Sequence, residues 1–467
     1  MMPLVKKAIE DCTFIAIDTE FTGLDLEATE NDKCKLFDTI PERYQKLKKR
    51  ATKVMPCQIG LSMFTKDPND NNYSVETYTF YASSIEFLNN HGFDFNKFLS
   101  CGIPYLNEAE VAQFWEEVNE ETFSLPHIRM MDFETVGDID MKINKLLESS
   151  KKSNNKNAKS GTNNFITLPI HNACHVYFQL NEIRRKYPST WAYTEDDKIV
   201  VKVVTPREKK NLAEEALDDQ EKLLKDYLGF TRVFRKLKHS YKPIVGHNFL
   251  MDLMLFYQHF FDDLPDCYET FKEELHRQFH FVYDTRLIWL NMRTVYKFKN
   301  LPKGSSLMGI YNAFESPADE LTILYQPSIK SSNCEKYLHD KYPHESGYDS
   351  FITGCVFMKI SHVLSSKRLE MDGDKMFLRF KSFNQHMQAV SPFVNKVLVP
   401  FSKTAYIDLT GKDPEPVVPG DLYIVPKTNR CLSNTELSQL FDKFGYVEWK
   451  LVNHKRAAIV VVSNLGR

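Results

Sequence analysis

The chain has no pair of cysteines at C-x-x-C spacing, and its nine cysteines are an odd number spread over 467 residues. That pattern supports neither a disulfide scaffold nor a zinc site, so a reducing, intracellular setting is expected. Net positive charge is also missing: 60 Lys and Arg against 62 Asp and Glu leave a formal charge of -2. This excludes a global basic field that gathers polyanions, and any phosphate contact must come from local patches or bound cations. No run of about 18 apolar residues occurs, so no membrane-spanning helix is expected within these residues. The first 18 residues carry two lysines but no long apolar stretch or small-residue cleavage site, which predicts no secretory signal.

What is present is an ordinary globular composition, 42% hydrophobic and 26% charged, which supports a buried core along most of the chain. The length predicts two or three domains. Apolar runs at 13–18, 56–64 and 73–81 read as strands of an N-terminal sheet. The stretch KKSNNKNAKSGTNN at 151–164 is almost free of apolar residues and reads as a flexible linker, closing a first domain part at 1–150. Residues 165–240 then carry a helical pattern at 176–187, a strand at 199–204 and a charged helix at 207–227, enough for a small inserted α/β module. A strand at 243–245 followed by apolar helices at about 249–261 and 348–364 predicts that the first domain resumes over 241–400. Residues 415–467 have the order strand, helix, strand, strand of an RNA-recognition motif lacking its last helix and strand.

Three short patterns carry chemistry. Asp18-Thr19-Glu20 ends the strand FIAID, and a period of two puts both carboxylates on one face with Phe14 and Ala16. Such a D-x-E alone is most often a solvated strand end. Gly246-His247-Asn248 precedes Asp252 in the first turn of a helix that is apolar nearly all round; a buried acid costs free energy, yet an acid there also complements the helix dipole, and for this residue the two readings are even. His344-Glu345-Ser346-Gly347-Tyr348-Asp349 opens a helix with the stripe Ile352, Cys355, Val356, Ile360 and Val363, which places Asp349 on the core-facing side. A loop histidine alone is usually a surface residue.

Together the patterns supply four acids and a histidine in the order D-x-E, D, H-x-x-x-x-D. Four such carboxylates can hold two Mg²⁺ ions about 4 Å apart for in-line phosphoryl displacement. Hard oxygen ligands without cysteine suit that ion, with Mn²⁺ as a substitute. Asp18, Glu20, Asp252 and Asp349 are assigned to the metals. His344 is the natural general base for the attacking water, because histidine changes charge near neutral pH.

The words AIDTEFTG at Ala16, ERYQKLKK at Glu42, SSIEFLNNHGFDFNKFLSCGIPYLNE at Ser83, IVGHNFLMD at Ile244 and HESGYDSFITG at His344 resemble those of the poly(A)-specific ribonuclease (PARN) family of DEDDh nucleases. The resemblance covers most of the chain. It implies an RNase H-like α/β fold with a mixed sheet flanked by helices, and 3′-to-5′ exoribonuclease activity that releases 5′-nucleotides, with the five residues in the roles above. CQIGLSMF at Cys57, NKFLSCGIPYLNE at Asn96 and CEKYLHDKYPHE at Cys334 are most similar to the PARN-like-domain trimmers of piRNA precursors. That similarity implies a single-stranded RNA 3′ end presented by a PIWI protein, a Tudor-domain scaffold, a homodimer, and a site on the cytoplasmic face of the mitochondrial outer membrane through a C-terminal anchor absent from this sequence. A cytoplasmic or nuclear poly(A) deadenylase and a catalytically inactive RNA-binding scaffold are the alternatives; retention of all five residues counts against the latter.

Further RNA contacts are expected at Phe21, which follows the acidic pair, and at Asn248. Lys46, Lys49, Arg50 and Lys53, at i, i+3, i+4 and i+7, would form one basic helix face. Arg235 and His239 have the Arg-x-x-x-His spacing of the family's insert domain but stand at the end of the 165–240 module. Trp449 sits near the position of a cap-stacking tryptophan, and a buried core role is preferred for it.

Overall fold

Alternating apolar residues build the strands, and a computed structural model shows how they pair. It describes residues 2–21, 33–69, 71–81, 103, 105–113, 133–153, 165–169, 180, 183–196, 198–215, 228–296, 304–315, 321, 323–371, 381–416, 422–428, 430–444 and 447–462. Residues 154–164 of the linker expected at 151–164, and the helical residues expected at 216–227, lie outside these. In chain order the strands are β1 (Phe14–Phe21), β2 (Pro56–Lys66), β3 (Asn72–Tyr81), β4 (Phe165–Pro169), β5 (Thr190–Glu195), β6 (Lys198–Val203), β7 (Ile244–Gly246), β8 (Val282–Asp284), β9 (Ser328–Ser331), β10 (Lys396–Leu398), β11 (Tyr406–Asp408), β12 (Leu422–Ile424), β13 (Val447–Val452) and β14 (Ala457–Val462).

The main sheet is mixed, in the order β11-β10-β8-β7-β1-β2-β3-β9. β1 pairs antiparallel with β2 and parallel with β7, with Ile15 opposite Ile244 and Ala16 opposite Val245. The sheet has an apolar core on each face. One gathers Ile15 and Ile17 with Phe234, Phe256 and Phe260; the other gathers Phe14 and Ala16 with the long helix Ser346–Met371 through Phe351, Ile352 and Cys355. This is the expected RNase H-like architecture of a mixed sheet flanked by helices. Among the described residues no helix is long and apolar enough to cross a membrane.

The expected module boundaries need correction. Residues 108–229 pack as one unit and the remainder as another. Helix Phe133–Ser153, placed by its sequence in the first domain part and the linker, belongs to the inserted unit: Ile143 is fully buried there with Leu168, Ile183, Ala192 and Val201. Its apolar spacing Ile139, Ile143, Leu147 needs a partner surface, and the sheet β4-β6-β5 supplies one. At the other end, helix Thr231–Ser240 leaves the insert for the main unit, because its stripe Val233, Phe234 and Leu237 is buried in the main core and Phe234 stacks on Phe260 at 4.1 Å. The main sheet also runs past residue 400, to β11.

In the C-terminal module, helix Asn434–Phe441 starts from a capping box of Ser433 and Glu436 and buries Leu437 and Phe441 against Ala458 and Val460 of a sheet ordered β12-β14-β13. The expected order of strand, helix, strand, strand is present.

Candidate active site

β1 is the central strand, and the face that carries Phe14 and Ala16 into the core ends in Asp18 and Glu20. β7 runs parallel beside it and stops at Gly246, so the following turn falls next to the acidic pair. A Cβ on Gly246 would lie 2.1 Å from the Phe249 ring, and only glycine allows the turn to close this tightly. Asn248 takes a left-handed φ of 58°, and Asp252 follows in the first turn of helix Leu250–Phe260, where only 9% of its surface is exposed.

The third segment reaches the same place from a distance of about a hundred residues along the chain. Helix Ser346–Met371 starts directly over β2: the Ser346 N–H donates to Gln58 Oε1 at 2.7 Å, and a Cβ on Gly60 would lie 1.9 Å from the Ser346 carbonyl oxygen. Gln58 is the register partner of Glu20, so this contact sets Asp349 opposite the acidic pair. The His344 N–H donates to Asp349 Oδ2 at 3.0 Å, and His344 holds a left-handed φ of 67°. Its Nδ1 stands 4.0 Å from Glu20 Oε1, with half of the side chain exposed. Ligand atoms of Glu20, His344 and Asp349 all lie within 4.8 Å of one another.

The electrostatics of this recess are those of uncompensated negative charge. Burial, then the charges of Asp349, Glu20 and Asp252, raise the Asp18 carboxyl well above the usual carboxylate range. Glu20 is pushed up to about 8 by burial, Asp349 and Asp252. Asp252 and Asp349 are each pushed up to about 7, burial being the largest cause. Among the described residues no lysine or arginine pairs with any of the four. Four oxygen-donor side chains converging without a cationic partner fit a divalent metal centre of hard-ligand type.

Asp284, which the patterns in the sequence passed over, lies at the same edge and is fully buried. Its Oδ1 accepts from the N–H of Asn248 and Arg286 at 3.0 Å each, and its Oδ2 from Phe249 at 3.2 Å and Leu398 at 3.1 Å. It thereby fixes the Asn248 turn and the start of the Asp252 helix. An acid just before the apolar helix Thr285–Tyr296 is an N-cap signal that could have identified it. His247 is neutral: burial and Arg286 push its pKa down to about 3. Its Nε2–H donates to the Ser305 carbonyl at 3.1 Å, and its Nδ1 lies 2.9 Å from the Thr285 hydroxyl, which donates to the Gly246 carbonyl at 3.0 Å.

The expected RNA contacts fare unevenly. Asn248 lies in the recess with a buried Oδ1 that has no partner. Phe21 is half-buried and packs against the core at the end of β1. The basic face does not form as expected. Lys46 is engaged with Asp38 at 2.8 Å and with the Lys33 carbonyl. The helix ends at Ala51, so Lys53 lies beyond it, and Lys49 and Arg50 sit in its last turn, where cations complement the helix dipole. Arg235 and His239 fall outside the inserted unit, one turn apart on helix Thr231–Ser240, where the His239 Nδ1–H donates to the Arg235 carbonyl. Trp449 packs beside the C-terminal module's core, its indole N–H donating to Asn434 Oδ1 at 3.1 Å.

The family model of the CAF1 family ribonucleases matches residues 1–357. The chain is similar to the poly(A)-specific ribonuclease PNLDC1 of Homo sapiens, 29% identical over 452 residues that span 92% of this chain and 82% of the relative. It is similar to the pre-piRNA 3'-exonuclease trimmer of Bombyx mori, 28% identical over 490 residues, 98% of this chain and 86% of the relative. The poly(A)-specific ribonuclease PARN of Xenopus laevis is 28% identical over 501 residues, 98% of this chain and 75% of the relative.

Proposed function

We propose, from the premise that this chain belongs to the CAF1 family of ribonucleases and is a 3′-to-5′ exoribonuclease, that it trims the 3′ ends of piRNA precursors held by a PIWI protein. The observation that carries the catalytic assignment is the convergence of Asp18, Glu20, Asp252, His344 and Asp349 from three separated segments. The choice of substrate is supported by the similarity to the Bombyx mori trimmer over nearly the whole chain. Similarity to the poly(A)-specific enzymes supports a deadenylase as the second reading. Trp449, tied to Asn434 within its own module, counts against the cap-stacking role that this second reading would give it. A Tudor-domain scaffold, a homodimer and the mitochondrial outer membrane belong to the trimmer reading.

Asp18, Glu20, Asp252 and Asp349 would hold the divalent metal, two Mg²⁺ ions with Mn²⁺ as a substitute. When bound, such ions activate water and stabilise the charge that develops at phosphorus. His344 takes the proton of the attacking water. The water oxygen bonds to the last phosphorus as the bond to the preceding 3′-oxygen breaks in line, so a 5′-nucleotide leaves and the shortened RNA keeps a 3′-hydroxyl once that oxygen gains a proton. Glu20 faces His344 and favours the imidazolium that forms. Asn248, whose buried Oδ1 has no partner, would accept a hydrogen bond from a sugar hydroxyl that displaces the groups covering it.

The test is a time course with 5′-labelled RNA in Mg²⁺, comparing a mixed-sequence 3′ end with a poly(A) end for wild type and Glu20→Ala. Stepwise shortening of both ends, lost in the variant, supports the trimmer. Shortening of poly(A) alone supports the deadenylase. Equal inertness of wild type and variant, even on PIWI-loaded RNA, would leave the scaffold reading standing.

A further inference from the structure

A second surface draws attention at the opposite edge of the main sheet from the catalytic acids. The residues that enter β7 and β8 lie there, Tyr241 and Lys242 before one strand and His280 and Phe281 before the other, and the Ile244 N–H donates to the Phe281 carbonyl at 2.8 Å. Two large aromatic side chains are left in solvent at this edge, Tyr241 61% exposed and Phe281 44% exposed. The Tyr241 ring lies against His280 with centroids 4.5 Å apart, and His276 follows at 6.2 Å from His280.

Tyr241 is costly where it stands. It occupies the position that ends helix Thr231–Ser240 with a left-handed φ of 54°, where glycine or asparagine is the usual choice. A bulky residue held in that conformation while mostly exposed is not explained by packing.

The surroundings are basic. Helix Thr231–Ser240, sequence TRVFRKLKHS, contains four lysines and arginines, a histidine and no acid. It packs against helix Met2–Asp11, which brings Lys6 near Glu10, and Glu10 is taken up by Lys236. Lys242, Asp11 and Glu76 all act on the Cys12 thiol at the end of that helix, so acids are also present near Lys242. The field is positive enough that, after burial, the charges of His276 and Lys238 lower the His280 pKa. Lys238 acts on His280, and Lys242 follows Tyr241 directly in the chain, so cations stand beside the Tyr241–His280 pair in a chain of net charge -2. Interleaved cations and exposed aromatics are what single-stranded nucleic acid needs, phosphates meeting the charges and bases stacking on the rings.

We propose that Tyr241, Phe281 and His280, with Lys238 and Lys242, form a second RNA-binding surface that holds the single-stranded body of the substrate away from the cleaved end. The inference rests on the RNA-substrate reading above and adds to it a site distinct from the catalytic recess. At about 3.3 Å per strand residue, the path from Lys242 past β7 to Asn248 is on the order of 20 Å, so the surface serves only RNA several nucleotides or more in length.

The test measures binding and hydrolysis separately. Binding of 5′-fluorescein single-stranded RNA to the full chain is followed by anisotropy in a chelator, so that no turnover occurs, with one short and one long oligonucleotide. Tyr241→Gly relieves the backbone conformation, so its thermal midpoint stays equal to wild type or rises, while affinity for the long RNA falls about tenfold. Lys238→Ala with Lys242→Ala lowers the slope of log affinity against log salt by about two. Both variants keep wild-type hydrolysis of the short oligonucleotide in Mg²⁺. Unchanged affinity for long RNA in both variants overturns the proposal. So does a loss confined to the lysine variant and matched by lost binding to phosphatidylserine vesicles, which would make the surface a general anion patch. Normal length-dependent binding without any hydrolysis would sink the catalytic reading and leave this surface standing.

Discussion

Two sets of buried acids share one edge of the main sheet, and they are treated in opposite ways. Asp284 is fully buried and is surrounded by backbone N–H donors from Asn248, Phe249, Arg286 and Leu398. Asp18, Glu20, Asp252 and Asp349 are enclosed chiefly with one another and have no lysine or arginine partner among the described residues. Burial raises the pKa of all five, but at Asp284 those donors oppose the rise, whereas around Asp18 the neighbouring carboxylates add to it. The difference separates an acid that completes the fold from acids that await a cation: the first has its charge solvated by several backbone N–H donors, whereas the second set has far fewer, such as the His344 N–H at Asp349, and no cation.

The largest expected effect tests the second set. Glu20→Gln should remove hydrolysis by about 10⁴-fold or more, because residues that act as one catalytic unit lose nearly everything singly; single-turnover rates on labelled RNA check it, and an activity within tenfold of wild type would break the assignment. Next is the first set. Asp284→Ala should destabilise the fold by about 3 kcal/mol, since several buried N–H groups lose their acceptor together, and denaturant titration of the metal-free protein measures this. Adding Mg²⁺ at about 100 times its dissociation constant should then stabilise wild type by about 2.7 kcal/mol and leave Glu20→Gln with much less, read as a shift in thermal midpoint. A smaller effect has the reverse sign. Asp252→Asn should stabilise the metal-free protein by about 1 kcal/mol by removing one of four repelling charges, while abolishing activity.

The comparison also has a pH signature. Glu20, at about 8, and Asp252 and Asp349, at about 7, hold protons in the folded state that the unfolded chain has released. Between the ordinary carboxylate range near pH 4 and those values the native state binds more protons, so metal-free stability falls as pH rises and levels off above about 8. Protons compete with the metal over the same window, so apparent Mg²⁺ affinity should rise with pH. Thermal midpoints at pH 5 and pH 8, with and without Mg²⁺, decide this: a metal-free midpoint that increases with pH would contradict the uncompensated cluster.

The recess was largely legible in the sequence because each part announces itself locally. D-x-E follows from strand periodicity, and Asp252 and Asp349 from acids on otherwise apolar helix faces. The basic helix face was misread because spacing shows which residues share a face but not whether the helix continues to Lys53 or whether Asp38 folds back onto Lys46. Module boundaries were misread for a related reason. An amphipathic helix such as Phe133–Ser153 needs an apolar surface, and nothing within its own residues says which one.

The sequence by itself thus determined the acids and histidine of the recess and the absence of a compensating basic field, which depend on residue type and short-range spacing, while the class of fold followed from the resemblance of its motifs to the PARN family. Tertiary structure alone decided that Gln58 and Gly60 bring Asp349 over Glu20, that Asp284 ties the Asn248 turn to β8 and β10, and that Tyr241 lies against His280 beside the exposed Phe281 at the start of β8. These depend on pairings between residues tens to hundreds of positions apart, which the register of a mixed sheet creates and no local pattern encodes.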